Sequence, residues 1–118
     1  MKHLRHNKPP VVHGDGHQTR DFVSVEDVVN ATILALDSET ASGVYNIATG
    51  IETTIQNLAT TLISITGQTS TPTNAPARLG DIQRSVGDIH RAKEQLGYSP
   101  ATSLDEDLRK LWNWYLTT

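Results

Sequence analysis

Pro10-Val11-Val12-His13-Gly14-Asp15-Gly16-His17-Gln18-Thr19-Arg20-Asp21-Phe22-Val23-Ser24-Val25-Glu26-Asp27-Val28-Val29 is the stretch that decides the fold. Pro9 and Pro10 stop any helix begun over Met1 to Asn7. Val11-Val12 then reads as a very short extended piece. His13 to His17 reads as a loop, because two glycines in three residues favour positive φ. From Ser24 the pattern is helical. Ser24 is a good N-cap, and Glu26 and Asp27 put negative charge where the helix dipole favours it. Val25, Val28, Val29, Thr32, Ile33 and Leu36 recur at the spacing of one apolar helix face.

Beyond this helix, Ala41-Ser42-Gly43 is a turn, and Val44-Tyr45-Asn46-Ile47-Ala48 reads as a short buried strand between glycines. Thr53 or Thr54 caps a second helix whose stripe is Ile55, Leu58, Ala59, Leu62 and Ile63, with Gly67 at its C-terminal end. Thr69 to Ala75, interrupted by Pro72, reads as an edge strand. Pro76 to Val86 reads as loop. A short helix from Asp88 ends at Gly97. The last helix opens on a capping box, Ser103 with Glu106, and carries Leu104, Leu108, Leu111, Trp112 and Tyr115 on its apolar face. The order of elements is that of an α/β or α+β chain. The one convincing strand cannot satisfy its backbone groups by itself, so its partners belong to other segments or to another chain.

Composition excludes several function classes. The 118 residues are 36% hydrophobic and 19% charged, the balance of a small folded domain. A formal charge of -3 argues against a broad nucleic-acid surface, which needs a basic stripe. With no cysteine, disulfides, thiolate catalysis and zinc-thiolate sites are ruled out, and a reducing, cytoplasmic setting is the expectation. No apolar run is long enough to span a membrane. His13, Asp15 and His17 are good metal-ligand types at alternate positions, yet nothing makes them converge, and no metal is expected.

Three stretches in order carry a resemblance: residues 10–29 quoted above, Gly43-Val44-Tyr45-Asn46-Ile47-Ala48-Thr49-Gly50, and Pro76-Ala77-Arg78-Leu79-Gly80-Asp81-Ile82-Gln83-Arg84-Ser85. Together they resemble the C-terminal half of the extended short-chain dehydrogenase/reductases, specifically the NAD-dependent epimerase/dehydratase family and its UDP-glucose 4-epimerase-like members. The resemblance implies an α/β fold class: the C-terminal part of a Rossmann-type enzyme, mainly helices with a few short strands. It implies that residues 1–118 form a sugar-nucleotide-binding domain and that the NAD-binding N-terminal part is absent from them.

For individual positions, the resemblance implies that Arg20 and Arg78 bind the nucleotide diphosphate and that Asp81 binds the ribose. It places the backbone around Val11 and His13 against the uracil ring, with Ile55 as an apolar contact. The chemistry agrees: guanidinium forks match diphosphate oxygens, and an ionised carboxylate accepts from both ribose hydroxyls. His13, Ser24 and Ala48 depart from the family's usual Tyr or Phe, Tyr, and Gly.

Neither the family's Gly-rich dinucleotide loop nor its Tyr-x-x-x-Lys pair occurs here. Gly14 and Gly16 do not sit between a strand and a helix, and Tyr45 and Tyr98 are followed at four residues by Thr49 and Thr102. The expectation is therefore a UDP-sugar-binding part that is inactive alone and holds no cofactor itself, NAD being bound by the family's N-terminal part. Its partners would be a separate NAD-binding half or a second copy. The alternative is a non-catalytic interaction or dimerisation module derived from such an enzyme.

Overall fold

The computed structural model describes all 118 residues. The elements are α1 (Lys2–Arg5), β1 (Val11–His13), β2 (Thr19–Arg20), α2 (Val25–Asp37), β3 (Thr53–Thr54), α3 (Ile55–Thr66), β4 (Thr73–Ala75), α4 (His90–Leu96) and α5 (Leu104–Thr117). Capping follows the sequence. Ser24 Oγ accepts from Glu26 N–H, Thr54 Oγ1 from Asn57 N–H, and Ser103 and Glu106 form the reciprocal box. Gly67 and Gly97 end α3 and α4 in the left-handed conformation, where a side chain would be strained.

Two small ladders organise the loops. β1 pairs with β4 in parallel, Val11 opposite Thr73 and His13 opposite Ala75. β2 pairs with β3 antiparallel, Arg20 opposite Thr53. The second ladder has no signature in the sequence: two residues on each side are too few to show an alternation.

The main core is thin. Ala31, Ala48, Ile89, Ala92, Leu96 and Tyr98 are buried together, with Leu34, Ala35, Tyr45 and Ile47 packed against them. The Tyr98 hydroxyl is satisfied by donating to the Ala48 carbonyl at 2.8 Å. Asp27, almost fully buried, accepts from the Ala101 and Thr102 N–H groups and fixes the lead-in to α5. Elsewhere α3 packs on β1 and α5.

Two expectations are corrected. The predicted stripe is not the single apolar side of α2, because a second side packs within the chain. The helix buries Asp27 and Ala31, while Val25 (71% exposed), Val29, Ile33 and Leu36 (79%) face outward. α2 is apolar on two sides, and small Ala31 and Ala35 allow the close approach on the inner one. A helix apolar on both sides belongs in an interior.

The second correction concerns residues 44–48, which join no ladder. Arg91 donates to the Ser42 and Val44 carbonyls and lies over the Tyr45 ring, and Tyr98 takes the Ala48 carbonyl. The segment is thus held on one side by side chains, and no strand of the chain lies along it. The molecule measures 50 × 34 × 18 Å with a radius of gyration of 16.7 Å, against about 13.5 Å for a compact domain of this length. It is an open slab and not a compact globule. No helix is long and apolar enough to cross a membrane.

Candidate functional site

β1 alternates strictly. Val12 is buried, whereas Val11 and His13 point away from the interior. The chain then turns through Gly14 and Gly16, both at positive φ. At Gly16 the requirement is also spatial, since a Cβ there would lie 3.0 Å from Gln56 Cβ and 3.1 Å from Val12 Cγ1. This closeness lets the first N–H groups of α3 find acceptors: Ile55 N–H donates to Gln18 O and Gln56 N–H to Gly16 O, each at 3.0 Å. The loop is thereby stitched to α3, and β2 emerges with Arg20 aimed at the loop that follows β4.

Arg20 meets three acceptors. Its Nη1 donates to Thr19 O and Ile82 O, and its Nη2 to Asp81 Oδ1 at 2.6 Å. A guanidinium has five N–H donors, so Nε and one Nη2 proton stay free. Both side chains are about one quarter exposed. Asp81 Oδ2 accepts from Gln18 Nε2, which also donates to the His13 carbonyl at 2.7 Å. Gly80, at positive φ, shapes the turn in which Asp81 N–H returns to Arg78 O. The Arg78 side chain is exposed and makes no ion pair or hydrogen bond within the chain.

Two carboxylates brace this arrangement. Asp21 accepts from Thr49 N–H (2.9 Å), Thr49 Oγ1 (2.6 Å), Gly50 N–H (2.9 Å) and Gly87 N–H (3.2 Å). Burial pushes its carboxyl up, but the four donors outweigh it and hold the group below the usual carboxylate range. Glu52 accepts from Arg84 Nε and Thr19 Oγ1, both at 2.7 Å, and these bonds lower its titration as well, Arg84 contributing most. Together with the Thr19 N–H to Gln83 O bond, they moor the 76–87 loop beside β2.

His13, Asp15, Gln18, Ala77, Asp81 and Gln83 line a cavity of about 120 Å³ at this junction. Ligand pockets for whole small molecules start at about 300 Å³, so this one accepts a single ring or polar group of a larger ligand. A cavity of about 330 Å³ lies elsewhere, walled by Phe22, Thr49, Ile51, Thr102 and Leu104 among others. No charged side chain lines it.

The structure therefore brings His13 and Asp81 to one cavity, pairs Arg20 with Asp81, and puts Arg78 on the same turn. Val11 lies on the outward side of β1 and Ile55 at the start of α3, and neither lines the cavity. His13 Nδ1 lies 3.2 Å from Pro76 O while Asp15 and His17 pair with each other, so the three candidate metal ligands do not converge. Gln18 and Glu52 escaped sequence reading. Neither sits in a periodic pattern, and what singles them out is the partner each reaches across 63 and 32 positions.

The Gly14–Gly16 loop lacks the setting of a dinucleotide-binding glycine loop. It connects β1 to β2, with no helix following it to receive a pyrophosphate.

The family model for GDP-mannose 4,6 dehydratase matches residues 1–111. Over 99 residues the chain is 39% identical to the UDP-glucose 4-epimerase of Mycolicibacterium smegmatis, covering 84% of this chain and 32% of that protein. The solved structure of Thermotoga maritima UDP-glucose 4-epimerase with UDP-glucose superposes with a TM-score of 0.89 at 38% identity, covering 98% of this chain and 37% of that one. A Bacillus cereus UDP-glucuronic acid 4-epimerase, in complex with UDP-glucuronic acid and NAD, gives a TM-score of 0.89 at 29% identity, with 98% and 38% covered. The chain spans about a third of the length of the curated relatives it matches.

Proposed function

The chain belongs to the GDP-mannose 4,6 dehydratase family of NAD-dependent nucleotide-sugar epimerases and dehydratases, and from that premise we propose that it is the UDP-sugar-binding part of a UDP-glucose 4-epimerase-like enzyme. The observation that carries this reading is Arg20 paired with Asp81 while Arg78 stands free on the same turn. Arg20 keeps two N–H donors for a phosphate oxygen and Arg78 keeps five. Asp81 neutralises one guanidinium and leaves the other's charge for the diphosphate. Val11 and His13, on the outward side of β1, offer the base a length of strand, and Ile55, at the start of α3, is the apolar contact in this reading.

In this reading the hydride chemistry lies outside these 118 residues. NAD, when bound by the remainder of the fold, supplies the oxidation and re-reduction of a sugar carbon. The residues here bind and orient the nucleotide so that the sugar reaches it. The unpaired 44–48 segment and the outward apolar side of α2 are the surfaces against which that remainder, on the same or another polypeptide, would pack.

A chimaera tests the proposal. This chain replaces the matched part of the Thermotoga maritima epimerase, and UDP binding is measured by calorimetry. The chimaera is expected to bind UDP, and Arg78→Ala to weaken it about tenfold, the loss of one charge-assisted bond of about 1.5 kcal/mol. Equal affinity in the two proteins would remove Arg78 from the site.

The outward side of α2 also favours a second reading, a non-catalytic module that dimerises through Val25, Val29, Ile33 and Leu36. Sedimentation of the isolated chain separates the two, because a well-folded monomer at high concentration is incompatible with the dimerisation module.

A further inference from the structure

Leu4, 1% exposed, anchors α1, whose other side chains reach into solvent. Lys2, His3, His6 and Lys8 line a cavity of about 230 Å³ that shares no residue with the one beside Asp81. Backbone carbonyls hold both imidazoles: His3 Nδ1 lies 3.0 Å from Pro9 O, and His6 Nδ1 lies 2.9 Å from Lys2 O. A carbonyl only accepts, so each Nδ1 carries a proton and donates it. Each Nε2 is left without a partner in the chain. The cavity also lacks a counter-charge. Arg20, Arg84, Arg109 and Lys110 each pair with a carboxylate, whereas Lys2 and Lys8 pair with nothing. The sequence holds no Asp or Glu before Asp15, none from 53 to 80 and none from 108 to 118. Those are the segments that meet here: Gln68 donates to Leu4 O, Arg5 to Tyr115 O and Thr73 N–H to Pro10 O. A chain of net charge -3 thus gathers two lysines and two histidines where no acid answers them.

We propose that Lys2, His3, His6 and Lys8 form an anion site, apart from the nucleotide site, that takes a phosphate group, free or as a phosphomonoester. It does not depend on the nucleotide reading given above. Two ammonium groups match the charge of about -1.5 to -2 that a phosphomonoester carries at pH 7, whereas a carboxylate would leave one of them unanswered. Each lysine brings three donors, and an imidazolium adds an Nε2–H while its Nδ1–H stays on the backbone. Donors of this kind make charge-assisted bonds to phosphate oxygens, roughly twice as strong as neutral ones. The two backbone bonds fix the rings in advance, which lowers the cost of ordering them around a ligand. A metal ion suits the place poorly, because only two side chains of ligand type are offered, beside two ammonium charges. The volume falls short of the roughly 300 Å³ at which pockets for whole small molecules begin, so the site holds the charged group and leaves its bearer in solvent.

The test is a titration of the ¹⁵N-labelled 118-residue chain with inorganic phosphate and with glycerol 3-phosphate, at an ionic strength held constant with chloride. Backbone amides and histidine ring resonances are followed. Saturable shifts are expected at Lys2 to Lys8 and in the His3 and His6 rings. Tighter binding of the ester assigns the site to phosphorylated metabolites, tighter binding of phosphate to the free ion, and equal binding to the phosphate group alone; all three uphold it. The double variant Lys2→Met, Lys8→Met is expected to weaken binding at least about tenfold. Both side chains are exposed, so its melting temperature should match that of wild type. Shifts around α1 that never saturate, or an affinity unchanged in the double variant, would overturn the proposal. So would saturable shifts confined to Arg20 and Arg78, which would leave the nucleotide site standing without this one. Zinc that moves both rings saturably where phosphate does not would make the cluster a metal site instead.

Discussion

Asp21→Asn is expected to lower the melting temperature by about 15 °C, although the two side chains are nearly identical in size. The carboxylate accepts four hydrogen bonds, three from backbone N–H groups of Thr49, Gly50 and Gly87. An asparagine oxygen can keep the two from Thr49. Its NH₂ group then faces the N–H groups of Gly50 and Gly87, donor against donor. Each orphaned donor costs about 1–3 kcal/mol, so the total is about 3 kcal/mol, and in a domain of this size 1 kcal/mol shifts the midpoint by about 4–8 °C. The thin core leaves little in reserve. Calorimetric melting of the two proteins measures the difference.

The same carboxylate imposes a pH dependence. Its folded-state titration lies below that of an unfolded aspartate, about 3.9. Its contribution is therefore complete above that value and is lost as the pH falls through the folded-state value. Wild type is expected to lose stability on acidification from about pH 5 downward, and Asp21→Asn to lose less over the same range. Parallel curves for the two proteins would contradict the assignment.

Arg20→Ala is expected to weaken UDP binding by the Thermotoga chimaera about a hundredfold, ten times the effect of Arg78→Ala. Two losses combine. The diphosphate loses a partner, and Asp81 loses the guanidinium at 2.6 Å that neutralises it. An unpaired carboxylate beside an incoming dianion is repulsive, so the substitution changes the sign of the local charge. A hundredfold loss corresponds to about 2.7 kcal/mol, within the range for two charge-assisted contacts. Arg20→Lys should recover little, because a lysine ammonium cannot reach Thr19 O, Ile82 O, Asp81 and a phosphate together. Equal losses from Arg20→Ala and Arg78→Ala would show that Asp81 plays no part in tuning the site.

Much of this was legible in the residues themselves. Ser24, Thr54 and Ser103 cap helices by rules that operate within four residues, so sequence alone locates α2, α3 and α5. Gly97 likewise closes α4. What sequence could not give was which side of a two-faced helix is covered. Val25 to Leu36 has the better stripe, but Ala31 and Ala35 have the neighbours, because α4 can come close only to small side chains. Residues 44–48 have the composition of a strand and no strand beside them, and composition cannot report a missing neighbour.

In the site, Arg20, Arg78 and Asp81 drew notice as charged residues within matched motifs. Gln18 did not, since an uncharged amide gains its meaning only from the His13 carbonyl and Asp81 on either side of it. Glu52 is comparable: its partners Thr19 and Arg84 come from two other loops.

On the proposed reading, one diphosphate-bearing nucleotide sits where β1, β2 and the 78–81 turn meet. Mapping backbone amide shifts of the 118-residue chain during titration with UDP tests it most directly. Weak, saturable binding is expected, with the largest shifts at Val11 to Gly14, Gln18 to Arg20 and Arg78 to Gln83. Shifts gathered instead around Phe22, Thr49 and Thr102, or none at millimolar UDP, would contradict it.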